Sequence, residues 1–243
     1  MSTLKEFDLD LPYVENRERI EKIMLEKSID YDAALKFDYN TKWKAKRSIF
    51  RLETRCITAL YERLFEKFET NGCWKVLVEC VDCVRKNRYR DLLGVYTIEI
   101  PVNIDRYFCL SDIEKKKMIL ELLNQGIDKI AKDVGWEKEP FDKAYKGVIN
   151  SNYINEWIWK NQLKSPLKNF SAEVFCQHNL YSFDIYILVK SKNGKEIRRE
   201  KVVSDKPDEF YFTEHLGQLK WTSNDEVMLI NKHKDKQWCV KID

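Results

Sequence analysis

The chain has 243 residues, 44% of them hydrophobic and 34% charged, and 43 Lys plus Arg against 40 Asp plus Glu leave a formal net charge of +3. That composition excludes collagenous and disordered chains, and no stretch approaches the 18 uncharged apolar residues of a membrane span. Only 7 glycines occur, and neither G-x-x-x-x-G-K nor G-x-G-x-x-G appears, which argues against a nucleotide cradled by glycine-rich backbone.

In chain order, the first ten residues lack the apolar core of a secretory signal and are acidic where a transit peptide is basic. A helix is expected over 13–27. Over 42–69, Ile49, Leu52, Cys56, Leu60, Leu64 and Phe68 recur at steps of three or four, the stripe of a long amphipathic helix that Asn71-Gly72 follows. Residues 73–81 and 92–102 alternate in polarity, with Trp74, Val76, Val78 and Cys80 on one side of the first run and Tyr96, Ile98 and Ile100 on one side of the second. They read as an antiparallel pair joined by the basic loop 85–90. Ser111-Asp-Ile-Glu114 is a capping box, and it opens a helix with Ile113, Leu120, Leu123, Ile127, Ile130 and Val134 inward, stopped by Gly135. A short helix follows from Pro140 to residue 150, and Trp157 and Trp159 suit one face of a strand.

The polar segment 161–169, interrupted by Pro166, reads as a linker. After it the pattern turns to strands, with a hairpin at Asn193-Gly194 and a second around the loop 232–236. The expected architecture is α+β: a domain over 1–160 with helices on a small antiparallel sheet, then a β-rich domain over 170–243 forming an antiparallel meander.

Charge is distributed unevenly. Residues 1–40 hold six basic and ten acidic side chains, whereas 41–55 hold six basic and one acidic. On a helix, Lys44, Arg47, Arg51 and Arg55 form a basic stripe near the N-terminus, and Glu62, Glu66 and Glu69 crowd the other end. Both placements oppose the helix macrodipole, so the arrangement answers something else. Three readings are open: the acidic first forty residues pack across the stripe, another protein does, or phosphates do. The loop residues Arg85, Lys86, Arg88, Tyr89 and Arg90 form a second basic cluster in which an aromatic ring and arginines suit a nucleic acid strand.

Other chemistry is thinly represented. Cys80-x-x-Cys83, with Cys176-x-His178 from the other half, has metal-ligand residue types, but residues three apart on a strand face opposite ways. The seven cysteines, Cys56, Cys73, Cys80, Cys83, Cys109, Cys176 and Cys239, read as reduced, buried thiols of a cytoplasmic protein, and no metal or cofactor is expected. Asp8 with Asp10, or Asp30 with Asp32, would share a strand face as cation ligands. The seven tryptophans read as core, with a carbohydrate platform as the alternative if Trp221 and Trp238 share an exposed face. The sequence therefore suggests a binding protein without catalytic activity, acting through protein contacts as inhibitors, immunity-type proteins or adaptors do. A nucleic-acid-associated protein using the two basic clusters is the first alternative. An enzyme whose site forms only in three dimensions, with His178 or His215 beside a carboxylate or thiol, is the second.

Overall fold

In a computed structural model the described residues, 1–242, form two compact units, one from Met1 to Tyr153 and the other from Ile154 onward. The first contains β1 (Ser2–Leu4), β2 (Glu6–Asp10), α1 (Arg17–Lys27), α2 (Tyr31–Asp38), a π-helical turn Tyr39–Trp43, α3 (Lys44–Leu64), β3 (Phe68–Thr70), β4 (Lys75–Val81), β5 (Arg90–Leu92), β6 (Val95–Pro101), α4 (Ile104–Phe108), α5 (Asp112–Val134) and α6 (Glu139–Asn150). The second contains β7 (Glu156–Lys164), β8 (Phe170–His178), β9 (Phe183–Ser191), β10 (Glu196–Asp205), α7 (Glu209–Phe212), a 3-10 turn Thr213–His215, β11 (Gln218–Trp221), β12 (Glu226–Ile230) and β13 (Gln237–Lys241). The fold class is α+β, and among the described residues no helix is long and apolar enough to cross a membrane.

Helix ends follow local chemistry. The side chain of Asn16 accepts from the Arg19 amide at 3.0 Å to start α1, and that of Asp30 accepts from the Ala33 amide at 2.8 Å to start α2. Asp30 and Asp32 are thus a helix cap and a first-turn residue, not a strand pair. The capping box of Ser111 and Glu114 opens α5, and Gly135, in the left-handed conformation, closes it. Two helices differ from expectation. Helix α3 ends at Leu64, before Phe65 turns extended and Phe68 enters β3. Its buried face carries Phe50, Glu53, Thr54, Ile57 and Tyr61 and leaves Ile49 and Leu64 exposed, because polar groups that find internal partners take core positions. Ile113, at the start of α5, is exposed as well.

The main sheet of the first unit has the order β2-β4-β6-β5. Strands β2, β4 and β6 are parallel, and only β5 runs against β6. The expected antiparallel pairing of 73–81 with 92–102 is therefore corrected to a parallel one. The chain between β4 and β6 is long enough to cross over, and its last three residues before the turn supply the antiparallel edge. Phe7, Leu9, Val76, Val78, Cys80, Ile98 and Ile100 are buried on one face. Helix α5 packs there so closely that a Cβ at Gly126 would collide with Val78. Tyr61 of α3 meets Phe7 edge-on at 4.9 Å. The opposite face carries Asp8, Leu77 and Thr97 in one register row and Asp10, Glu79 and Glu99 in the next.

In the second unit β7 to β10 form an antiparallel meander in the order β10-β9-β8-β7, and β11-β12-β13 form a separate three-stranded sheet. Both contribute to one core, with Val174, Ile185 and Ile187 from the first and Val227, Leu229 and Val240 from the second. Phe212 of α7 stacks on Phe183 with ring centroids 3.5 Å apart. The Asn193-Gly194 hairpin forms as expected, with Gly194 at φ +79°. The segment 161–169 is not a linker: it completes β7 and makes the turn into β8, where the Ser165 amide donates to the Phe170 carbonyl at 2.9 Å. A polar, proline-containing stretch suits a hairpin turn as well as a domain boundary, and the units divide earlier, at Tyr153 and Ile154.

Candidate functional site

The basic stripe meets the acidic start of the same chain. Helix α3 lies along β2, and the Arg47 guanidinium grips Asp10 in a bidentate pair, Nε to Oδ1 at 2.8 Å and Nη2 to Oδ2 at 2.5 Å. Arg51 reaches Asp10 at 4.0 Å. One turn further, Arg55 donates to Asp8 at 2.9 Å and to Glu62 at 3.2 Å, while Glu62 also accepts from the Phe7 amide. Charges that opposed the helix dipole are thus answered by β2, which is the internal reading of the stripe. Lys44 stays exposed at the start of α3. Asp8 also pairs with Lys75, so Asp8 and Asp10 serve as ion-pair partners here, and neither belongs to a candidate metal cluster among the described residues.

The second basic cluster is brought to the same face. Asp10, Glu79 and Glu99 are direct register neighbours across β2, β4 and β6, an arrangement that like charges disfavour unless each is offset. Arg47 offsets Asp10, Arg90 pairs with Glu79, and Glu99 accepts from the backbone amides of Arg85 at 2.6 Å and Lys86 at 3.1 Å. The three carboxyls titrate differently as a result. Burial alone would raise Asp10, but Arg47, the Leu11 amide and Arg51 overturn that and hold it below its usual value. Burial would raise Glu99 too, and the Arg85 and Lys86 amides reverse the sign. Glu79 is raised, by burial first and by the charges of Glu99 and Asp10, with Arg90 opposing.

Glu79, Glu99, Arg85, Lys86 and Arg90 border a cleft of about 350 Å³ at the carboxyl ends of the parallel strands, closed on one side by Pro12 to Val14 and on the other by Asp82 and Cys83. Arg88 is exposed on the loop outside it. Tyr89 does not extend to solvent as a stacking platform would: its ring packs on Tyr96 at 4.6 Å, and Tyr96 stacks in turn on Trp136.

Directly after the basic loop, β5 and β6 are joined by the two-residue turn Leu93-Gly94, which the sequence reading did not single out. Leu92 is 71% and Leu93 90% exposed. Leu93 has φ +53° and Gly94 φ +84°, a combination that suits Asn-Gly and costs a leucine. The tip is nonetheless braced. The Trp74 indole donates to the Leu93 carbonyl at 2.9 Å, the Gly94 amide donates to Asp91 at 2.9 Å, and the Gly94 carbonyl accepts from the Trp74 amide at 3.0 Å. A signal was available in Asp91-Leu-Leu-Gly94, an apolar pair at a turn directly after a basic run.

The remaining candidates sit in structural surroundings. The expectation of seven buried thiols is corrected: Cys83, just beyond β4, and Cys109 and Cys239 are exposed, whereas Cys80 is buried in β4, and burial pushes the Cys80 thiol far up. His178 is buried with Nε2 3.0 Å from the Pro207 carbonyl. His215 does lie beside a carboxylate, Nε2 to Asp205 at 2.7 Å, but that pair is packed in the second unit against the edge of Trp238, and the cleft described above is lined from the first. Trp221 is buried with its indole donating to the Leu163 carbonyl at 2.9 Å, so it is not half of a carbohydrate platform.

Among known proteins, no family model matches the chain, and no curated protein or solved structure is similar to it.

Proposed function

We propose that the protein is a binding protein without catalytic activity that works in the cytoplasm by contact with another protein, in the manner of an inhibitor, immunity-type protein or adaptor. The observation that carries this reading is the hairpin tip Leu92-Leu93, two exposed leucines of which Leu93 has an unfavourable backbone conformation, in a turn that three hydrogen bonds to Leu93 and Gly94 brace. Solitary exposed apolar residues are ordinary. A strained leucine braced at a turn, beside a second exposed leucine, is the arrangement of a contact point, with apolar side chains held out where a partner can bury them. The test places a photo-crosslinking amino acid at position 93 in the native host, with position 192 as control. A single partner crosslinked from 93 alone, whose purified form loses affinity for Leu92→Ser/Leu93→Ser, supports the reading. No adduct, or equal adducts from both positions, refutes it.

A second reading, association with nucleic acid, draws on the exposed side chains of Lys44, Arg51, Arg85, Lys86 and Arg88. Its weight is reduced by the internal pairing of Arg47, Arg55 and Arg90 and by the packing of Tyr89. Phosphate-dominated binding falls steeply with salt. Oligonucleotide binding at low salt that disappears in the triple charge reversal of Lys44, Arg51 and Arg88 would establish it.

A further inference from the structure

We propose that the cleft at the carboxyl ends of β2, β4 and β6 binds a small phosphoryl-bearing anion through the side chains of Arg85, Lys86 and Arg90. In open sheets of parallel strands, ligands sit outside the carboxyl ends of the strands. The cleft is there, and its volume of about 350 Å³ falls at the small-molecule end of ligand sites.

Of the described carboxylates around it, only Glu79 holds one of the three cations by an ion pair, Arg90, and Arg85 and Lys86 keep their side chains for a ligand. Glu99 is committed to the Arg85 and Lys86 amides and Glu79 to Arg90. Two successive amides aimed at one acceptor form the anion-binding nest that many phosphate sites use. Here the chain's own Glu99 fills that nest, which pins the loop backbone and leaves the ligand to the side chains. Arg85 and Lys86 then stand exposed at the mouth with fixed backbone, and Asp82 is the one further acidic residue of the lining. Arg90, oriented by Glu79, supplies the planar donor set suited to a phosphoryl group. A site of this kind needs no glycine-rich loop, in keeping with a chain of 7 glycines. It also stands apart from the Leu92-Leu93 tip, so either proposal survives the failure of the other.

Cys83 provides the reporter. Its thiol is exposed and lines the cleft, whereas Cys109 and Cys239 are exposed elsewhere and Cys56, Cys73, Cys80 and Cys176 are buried. The full chain is alkylated with iodoacetamide at constant ionic strength, and the rate at each cysteine is read by peptide mass spectrometry. Inorganic phosphate, pyrophosphate and a nucleoside monophosphate are the added anions. At twice the dissociation constant, occupancy slows the Cys83 reaction about threefold, with Cys109 and Cys239 unchanged and the effect absent in Arg85→Gln/Lys86→Gln. That variant keeps both amides that Glu99 holds, and continued protection of the buried cysteines verifies its fold. Should it fail that check, Lys86→Gln alone takes its place and must weaken the protection. Protection by the monophosphate at lower concentration than by inorganic phosphate identifies an ester as the ligand, and the reverse order identifies the free anion. Unchanged Cys83 rates with all three anions, equal protection by succinate, or full protection in the variant overturns the proposal.

Discussion

Leu93→Asn separates the two roles open to an exposed leucine at a turn. If the side chain contributes to folding, its removal destabilises the first unit. If it serves a partner, removal leaves folding intact or improves it. Leu93 occupies the left-handed region at φ +53° and is 90% exposed, so truncation gives up almost no burial. Asparagine tolerates that region better than leucine, and relief of part of a cost of roughly 1–2 kcal/mol is expected. The brace survives, because Trp74 donates to the backbone carbonyl of residue 93. A gain of about 0.5–1 kcal/mol corresponds to a rise of about 1–4 °C in the unfolding midpoint of a unit this size. Docking of the leucine on a partner buries it at roughly 1.5–3 kcal/mol, so affinity falls by about ten- to a hundredfold. Thermal unfolding and calorimetric titration of the crosslinked partner measure both. A lower midpoint, or unchanged affinity, refutes the assignment of Leu93 to contact.

Gly94→Ala has the opposite sign: its Cβ would lie 2.5 Å from the Gly72 carbonyl oxygen and 2.6 Å from Trp74 at φ +84°, so a loss of about 2 kcal/mol or more is expected, visible as faster hydrogen exchange in β5 and β6. Lys115→Met leaves Glu53, whose Oε2 accepts from Lys115 and from Tyr107 at 2.9 Å each, buried with one donor fewer; it costs about 3–5 kcal/mol by urea denaturation, whereas the triple variant Glu53→Leu/Lys115→Met/Tyr107→Phe returns to within about 1 kcal/mol of the native chain. Acid stability follows from Asp10 and Glu99, both held below the ordinary carboxylate range. A depressed folded-state pKa gives stability that is complete above an unfolded value of about 4 and lost as the pH falls through the folded value. The urea midpoint of the first unit should therefore drop below about pH 4, and Asp10→Asn should make that drop shallower.

Local chemistry was largely legible. The capping box at Ser111, the stop at Gly135 and the Asn193-Gly194 turn depend on neighbours in sequence, and they form as the residues suggest. Pairing was less so. Alternation over 73–81 and 92–102 identifies two strands with an apolar face, but parallel and antiparallel neighbours share that period. The core position of Glu53 was hidden for a related reason: its partners are 54 and 62 residues away, and a charged residue on a helix reads as solvent-facing until they are known. The linker expected at 161–169 failed because hairpin turns and domain boundaries draw on the same polar residues and proline.

Strand direction also concealed the candidate site. Asp10, Glu79 and Glu99 each occur near the carboxyl end of a strand, and Glu79 and Glu99 each break an otherwise apolar run, in Val78-Glu79-Cys80 and Ile98-Glu99-Ile100. In an antiparallel pair, Glu79 and Glu99 would lie at opposite ends and carry no common meaning. Parallel register sets the three side by side, and the loop that follows β4 must then pass over them, bringing Arg85, Lys86 and Arg90 to the same edge. The two basic clusters, separate in sequence, thus share one cause. Each is matched to a carboxylate that interrupts a strand, Arg47 to Asp10 from the α3 side and Arg90 to Glu79 from the β5 side. A charged residue inside an apolar strand, paired with an unexplained basic run nearby, is the sequence signal that points to such a face before the topology is known.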